Sequence, residues 1–99
     1  MVITKTQNEN KLVLAISGRL DTITAPQFQE ELFLAFNEAR QVELDFANVL
    51  YISSAGLRVL LLGEKKAMEK NRSMNIINAS ESIKSIFEMT GFVKILKIV

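Results

Sequence analysis

The 99 residues fit one compact domain, residues 1–99, and a hydrophobic share of 48% supplies a core without disulfides. Cysteine and histidine are both absent, which excludes thiolate nucleophiles, thiolate or imidazole metal sites and every hydrolytic triad that uses imidazole as its base. Twelve basic and eleven acidic residues, mixed along the chain for a net charge of +1, lack the positive field of a duplex-binding domain, so direct nucleic-acid binding is not expected.

The opening stretch Met1-Val2-Ile3-Thr4-Lys5-Thr6-Gln7-Asn8 has no apolar secretory core, and no run approaches the ~20 residues that cross a bilayer. A cytoplasmic chain without membrane insertion is expected. β-branched and aliphatic residues over 2–6 and 12–17, with Gln7-Asn8-Glu9-Asn10 between them, predict a hairpin. Leu12 to Ile16 is almost wholly apolar, the pattern of a strand covered on both faces, and Gly18 is expected to end it.

A first amphipathic helix is predicted over residues 25–39. Thr24 and Gln27 have capping-box spacing, Pro26 sits in the first turn, and Phe28, Leu32, Ala35, Phe36 and Ala39 recur at helical intervals. Val42, Leu44 and Phe46 alternate with Glu43 and Asp45, as in a strand with one buried face, and residues 47–52 are expected to be a short connection. A second helix starts near Ser54, read as its N-cap. Leu57, Val59, Leu60, Leu61 and Leu62 make its early half apolar nearly all round, while Glu64, Lys65, Lys66, Glu69 and Lys70 make the later half polar. Residues 74–77 read as a short strand. Asn78 or Ser80 then caps a third helix with Ile83, Ile86 and Phe87 on one face and Gly91 at its end. Residues 93–99 are compatible with a closing strand or a further helical turn. This order implies an α/β fold, a mixed sheet of four to five strands with a layer of helices.

The least ordinary stretch is Tyr51-Ile52-Ser53-Ser54-Ala55-Gly56-Leu57-Arg58, where two hydroxyls and a glycine open a helix that otherwise looks buried. Ser54 has a structural reading, a helix cap, and Gly56 one too, close packing on the sheet. The functional reading uses the same geometry. A hydroxyl at a helix N-terminus is open to a kinase, and a phosphate there meets free N–H groups and the positive end of the helix dipole. Asp21 has two readings of its own, a cap of residues 22–24 or a partner contact at the carboxyl edge of the sheet. Arg58 reads as a solvated residue, with a partner contact as the alternative. Lys65, Lys66, Lys70 and Arg72 read as a solvated helix end, and Met68, Met74 and Met89 as packing residues. No carboxylate or lysine pair is arranged for acid–base chemistry, and the eight-residue glycine–lysine phosphate loop is missing. No catalytic residue, metal ligand or cofactor is therefore assigned.

Gly18-Arg19-Leu20-Asp21, Leu44-Asp45-Phe46, Ser53-Ser54-Ala55-Gly56-Leu57 and Met89-Thr90-Gly91-Phe92 resemble the STAS domains of bacterial anti-sigma factor antagonists, over nearly the whole chain. The resemblance implies a non-enzymatic partner switch. The unmodified protein binds an anti-sigma factor, commonly a serine kinase, and so frees a sigma factor; phosphorylation reverses this, and a PP2C-type phosphatase resets it. By motif position the phosphorylated residue is Ser54. Several members carry Asp where this chain has Ser53 and a second hydroxyl where it has Ala55, which leaves Ser53 as the alternative acceptor. Asp21, Thr22, Ser53, Ser54, Ala55, Gly56 and Arg58 are the expected partner-binding residues. The rival expectation is a STAS-type scaffold subunit of a transporter or signalling complex without a phosphorylation cycle.

Overall fold

Alternation of apolar and polar residues along the strands, and the helical period between them, give the element order of the chain. The computed structural model of residues 1–99 contains β1 (Val2–Asn8), β2 (Lys11–Leu20), α1 (Ala25–Glu38), β3 (Gln41–Ile52), α2 (Ser54–Glu69), β4 (Ser73–Ile77), α3 (Glu81–Thr90), a 3-10 turn (Phe92–Lys94) and β5 (Lys97–Ile98). The strands form one sheet in the order β1-β2-β3-β4-β5. β1 runs antiparallel to β2, and β2, β3, β4 and β5 are mutually parallel. Each parallel step is bridged by a helix or helical turn, so the C-terminal ends of β2 and β3 gather on one edge of the sheet.

Register decides which side chains meet. Leu12, Val42 and Met74 lie side by side, as do Leu14, Leu44 and Ile76, and all six are buried. They share one core cluster with Phe28, Leu32 and Phe36 of α1, Leu57 and Leu60 of α2, and Ile83 and Phe87 of α3. The Phe46 and Phe87 rings meet at 6.3 Å. Val13, Ala15, Glu43, Asp45, Asn75 and Ile77, which alternate with the buried set, are only partly covered. The helical layer thus lies on one face of the sheet. This corrects the expectation that β2 is covered on both faces: Val13 and Ala15 are small enough to line an open face without exposing much apolar area.

Several boundaries also differ from the sequence-based expectation. β2 continues through Gly18, whose φ of +109° is open to glycine, as far as Leu20. β3 absorbs residues 47–52 because its pairing with β2 slips twice, between Ala15 and Ser17 and between Gly18 and Arg19. Such bulges let a strand carry non-alternating residues. The expected capping box of α1 does not form: Thr24 is the N-cap but makes no side-chain cap bond, its hydroxyl donating instead to the Arg19 carbonyl at 2.7 Å. At α3, Ser80 rather than Asn78 is the cap, accepting from Ile83 N, and Gly91 ends the helix with φ 79°. Residues 93–99 take both expected forms in succession, helical turn and then strand.

In α2, Leu60 is fully buried whereas Leu61 and Leu62 are half-buried. The all-round apolar half therefore has one true core face. Leu60→Ala is expected to cost about 2–5 kcal/mol and Leu61→Ala clearly less. Urea titrations of the two variants check this, and an equal or larger loss at Leu61 would contradict the placement of the core face.

Candidate functional site

β2 and β3 end together, with Arg19 paired to Tyr51 and Leu20 to Ile52. The chain then turns into α2, held by a hydrogen bond from the Ser53 amide to the Leu20 carbonyl at 2.8 Å. Gly56, in the first turn of α2, lies directly on these strand ends. A Cβ there would fall 2.8 Å from Ile52 Cγ1, 3.0 Å from Leu20 O and 3.1 Å from Leu20 Cβ. Only a residue without a side chain allows so close an approach to backbone. With Gly56 turned inward, the helical spacing turns Ser54 and Arg58 outward; both are exposed.

The cap is Ser53, not Ser54. Ser53 has extended backbone (φ −95°, ψ 176°), and its carbonyl accepts from Leu57 N at 2.9 Å, while Ser54 is the first helical residue. The expected assignment failed by one residue because Ser53 must leave the strand in extended form to bond Leu20. The Ser53 Oγ is buried and has no hydrogen-bond partner. Burial thus separates the two adjacent hydroxyls: Ser54 faces solvent and the Ser53 hydroxyl is shielded. No acidic residue stands in the first turn of α2, so its free N–H groups keep their attraction for an anion.

Asp21 caps its own turn. Its Oδ1 accepts from Ile23 N at 3.0 Å and Thr24 N at 3.1 Å, and its Oδ2 lies 3.7 Å from Arg19 Nε. The backbone bond from Thr24, with those from Ile23 and the Thr24 hydroxyl and the nearby Arg19 charge, holds the Asp21 carboxyl below its ordinary value of 3.8 despite partial desolvation. The structural reading of Asp21 therefore holds, and its carboxylate is largely occupied in shaping the β2–α1 turn. Thr22 of that turn, Ala55 and Arg58 line a shallow groove of about 390 Å³ between the starts of α1 and α2, with Glu30 and Phe33 on the α1 side. Of the seven residues singled out from sequence, the structure brings Thr22, Ala55 and Arg58 into one groove. It places Ser54 at the head of α2, and Ser53 and Gly56 beneath it.

Three exposed apolar residues at the same edge were not anticipated. Ile23 is 88% exposed, Leu50 77% and Tyr51 40%. Leu50 is the unpaired residue of the second β3 bulge, which thrusts it outward, and the Arg19 guanidinium stacks 4.3 Å above the Tyr51 ring. Ile23, an apolar residue inside a polar turn, was the signal available in the sequence; Tyr51 was hidden by ending β3 too early. Elsewhere, three members of the basic cluster have partners while Lys65 is exposed: Lys70 Nζ donates to Asn37 Oδ1, Arg72 Nε donates to the Phe36 carbonyl, and Lys66 lies over the Phe33 ring. Met74 packs in the core, but Met68 and Met89 are exposed, at 69% and 83%. Burial pushes the Glu64 carboxyl up, farther along α2. A larger hollow of about 700 Å³, lined only by polar residues such as Asn10 and Arg40, opens at the other ends of β2 and β3 and gathers none of these groups. No group of acidic side chains is arranged to hold a metal ion, and no helix is long and apolar enough to cross a membrane.

A mixed sheet with a helical layer on one face, and a serine-bearing turn pinned to its carboxyl edge by a glycine, defines a known class. The family described as "Mlab, STAS domain" matches residues 3–97, and the chain belongs to it. It is 36% identical over 78 residues to the anti-sigma-B factor antagonist of Staphylococcus epidermidis, spanning 77% of this chain and 71% of that one. Against the anti-sigma-B factor antagonist of Bacillus subtilis the identity is 29% over 92 residues, 93% of this chain and 84% of the relative. The fold also matches the Bacillus cell fate determinant SpoIIAA in its phosphorylated form, with a TM-score of 0.75 at 14% identity, covering 99% of this chain and 91% of that one.

Because the Ser53 hydroxyl is buried without a hydrogen-bond partner, Ser53→Ala is expected to leave stability unchanged or to raise it, in contrast to the loss of about 0.5–2 kcal/mol that follows removal of a bonded side-chain cap. Denaturant unfolding of this variant measures it. A loss above about 1 kcal/mol would show that the hydroxyl caps α2 in solution.

Proposed function

We propose that this chain is an anti-sigma factor antagonist whose binding is controlled by phosphorylation of Ser54. The observation that carries this reading is the sorting of the two serines: Ser54 is exposed at the first position of α2, and the Ser53 hydroxyl beside it is buried. Ser53, the alternative acceptor, would have to break the contact of α2 with the strand ends to reach a kinase. In its unmodified form the protein binds a cognate anti-sigma factor, itself a serine kinase, in the cytoplasm, and acts by binding without catalysis or a cofactor. A PP2C-type phosphatase removes the phosphate and so restores the unmodified form. The kinship with anti-sigma-B factor antagonists supports the partner class.

The surface suits such a partner. Ile23, Leu50 and Tyr51 offer apolar anchors around Ser54, and Thr22, Ala55 and Arg58 extend the contact along the groove. Gly56 and Asp21 contribute by shape, one holding α2 against the strands and the other holding the turn that carries Thr22 and Ile23. A phosphate adds about −1.5 to −2 charges at neutral pH. On a chain of net charge +1 that inverts the sign, and it does so on one turn. A partner that covers Ser54 must then strip water from the new dianion. A loss of about 3 kcal/mol already weakens binding more than a hundredfold.

Calorimetric titration of the anti-sigma factor against four forms tests this. The unmodified protein and Ser54→Ala are expected to bind alike, the phosphorylated protein at least a hundredfold more weakly, and Ser54→Asp in between, since a carboxylate has less charge and fewer acceptor oxygens. Intact-mass analysis should show one phosphate, lost in Ser54→Ala and kept in Ser53→Ala. Equal affinities for the phosphorylated and unmodified forms would favour a constitutive scaffold instead.

A further inference from the structure

Arg58 lies four residues after Ser54 on α2, which places the two Cβ atoms on the same helix face about 5–6 Å apart. The Arg58 side chain lines the α1–α2 groove, and because helical side chains lean toward the helix N-terminus it is within reach of the turn that bears Ser54. The guanidinium is exposed and takes part in none of the three ion pairs of the molecule or in any side-chain hydrogen bond. The one acidic residue that lines the groove with it is Glu30 of α1, with which it forms no ion pair. The other charged groups at this edge, Arg19 and Asp21 of the β2–α1 turn, are turned to each other. No acidic residue in the first turn of α2 competes for Arg58.

We propose that Arg58 is the intrachain cation that captures the phosphate of Ser54, and that modification therefore withdraws a positive charge from the α1–α2 groove as well as adding negative charge at its head. This rests on the reading of Ser54 as the modified residue. Guanidinium and phosphate form paired N–H···O bonds that a single ammonium cannot reproduce. Before modification the groove mouth carries a free cation beside Thr22 and Ala55. Afterwards that cation is folded back onto the phosphate. A partner that reads the groove through an acidic group thus loses its contact at the moment Ser54 becomes unfavourable to cover, which sharpens the switch without moving the backbone.

The test reads the phosphate itself. Phosphoserine is installed at position 54 during synthesis of the full chain, so no kinase is required, and its second ionisation, ordinarily near pH 6, is followed by phosphorus NMR. Arg58 favours the dianion, so the wild-type chain is expected to ionise about 0.2–0.4 pH unit lower than Arg58→Ala at low salt. The difference should shrink at 1 M salt, persist in part in Arg58→Lys, and be absent between wild type and Lys65→Ala, a change to an exposed lysine farther along the same helix. The first-turn amides act equally in every variant and cancel from the comparison. Identical ionisation in wild type and Arg58→Ala, or an equal shift from Lys65→Ala, would overturn the proposal. Phosphopeptide mapping of the chain from its own host reports separately whether Ser54 is modified at all, so failure of that reading is distinguishable from failure of the Arg58 contact.

Discussion

The structure depends on the contact of Gly56 with the ends of β2 and β3. Leu20 O, Leu20 Cβ and Ile52 Cγ1 together leave no room for a side chain at this position, and the Ser53–Leu20 hydrogen bond fixes the turn that leads into it. Once α2 is seated there, the helical period determines the rest: Leu57 and Leu60 point into the core, and Ser54 and Arg58 point out. A side chain at Gly56 would have to lift the helix start, and with it the relation between Ser54 and the exposed residues Ile23, Leu50 and Tyr51.

This arrangement separates fold from signal. The core lies between the helices and one face of the sheet, whereas every group assigned to switching lies at the carboxyl edge, on the surface of elements that are already fixed. On the proposed reading, a charge added at Ser54 would alter hydration and electrostatics where a partner would dock, at an exposed position outside the apolar cluster. The free first-turn amides of α2 ease the presence of an anion there.

Much of this was legible in the sequence, and the failures share a cause. The helices and the central strands follow from periodicity because α1, α3, β4 and the first half of β3 are locally regular. The Ser54 turn stood out because hydroxyls and a glycine interrupt an apolar run. What periodicity could not show was set by pairing between distant residues. β3 continues to Ile52 only because bulges let it follow β2, and that hid the Arg19–Tyr51 stack and the outward thrust of Leu50. The cap fell on Ser53 rather than Ser54 because Leu20 O, thirty-three residues earlier, holds the Ser53 amide. The apolar run over 12–16 suggested two covered faces, since Val13 and Ala15 do not announce in sequence that one face of the sheet is open.

The most direct measurement of the central claim, that the switch is a surface change on a seated helix, is a residue-by-residue comparison of amide chemical shifts and hydrogen exchange in the unmodified protein and the protein phosphorylated on Ser54. The account predicts shift changes confined to the ends of β2 and β3 and the first two turns of α2, with unchanged exchange protection at Leu14, Leu44 and Leu60. Altered shifts through α1 and β4, or lost protection at those core amides, would show that phosphorylation acts by unseating α2, and would contradict it.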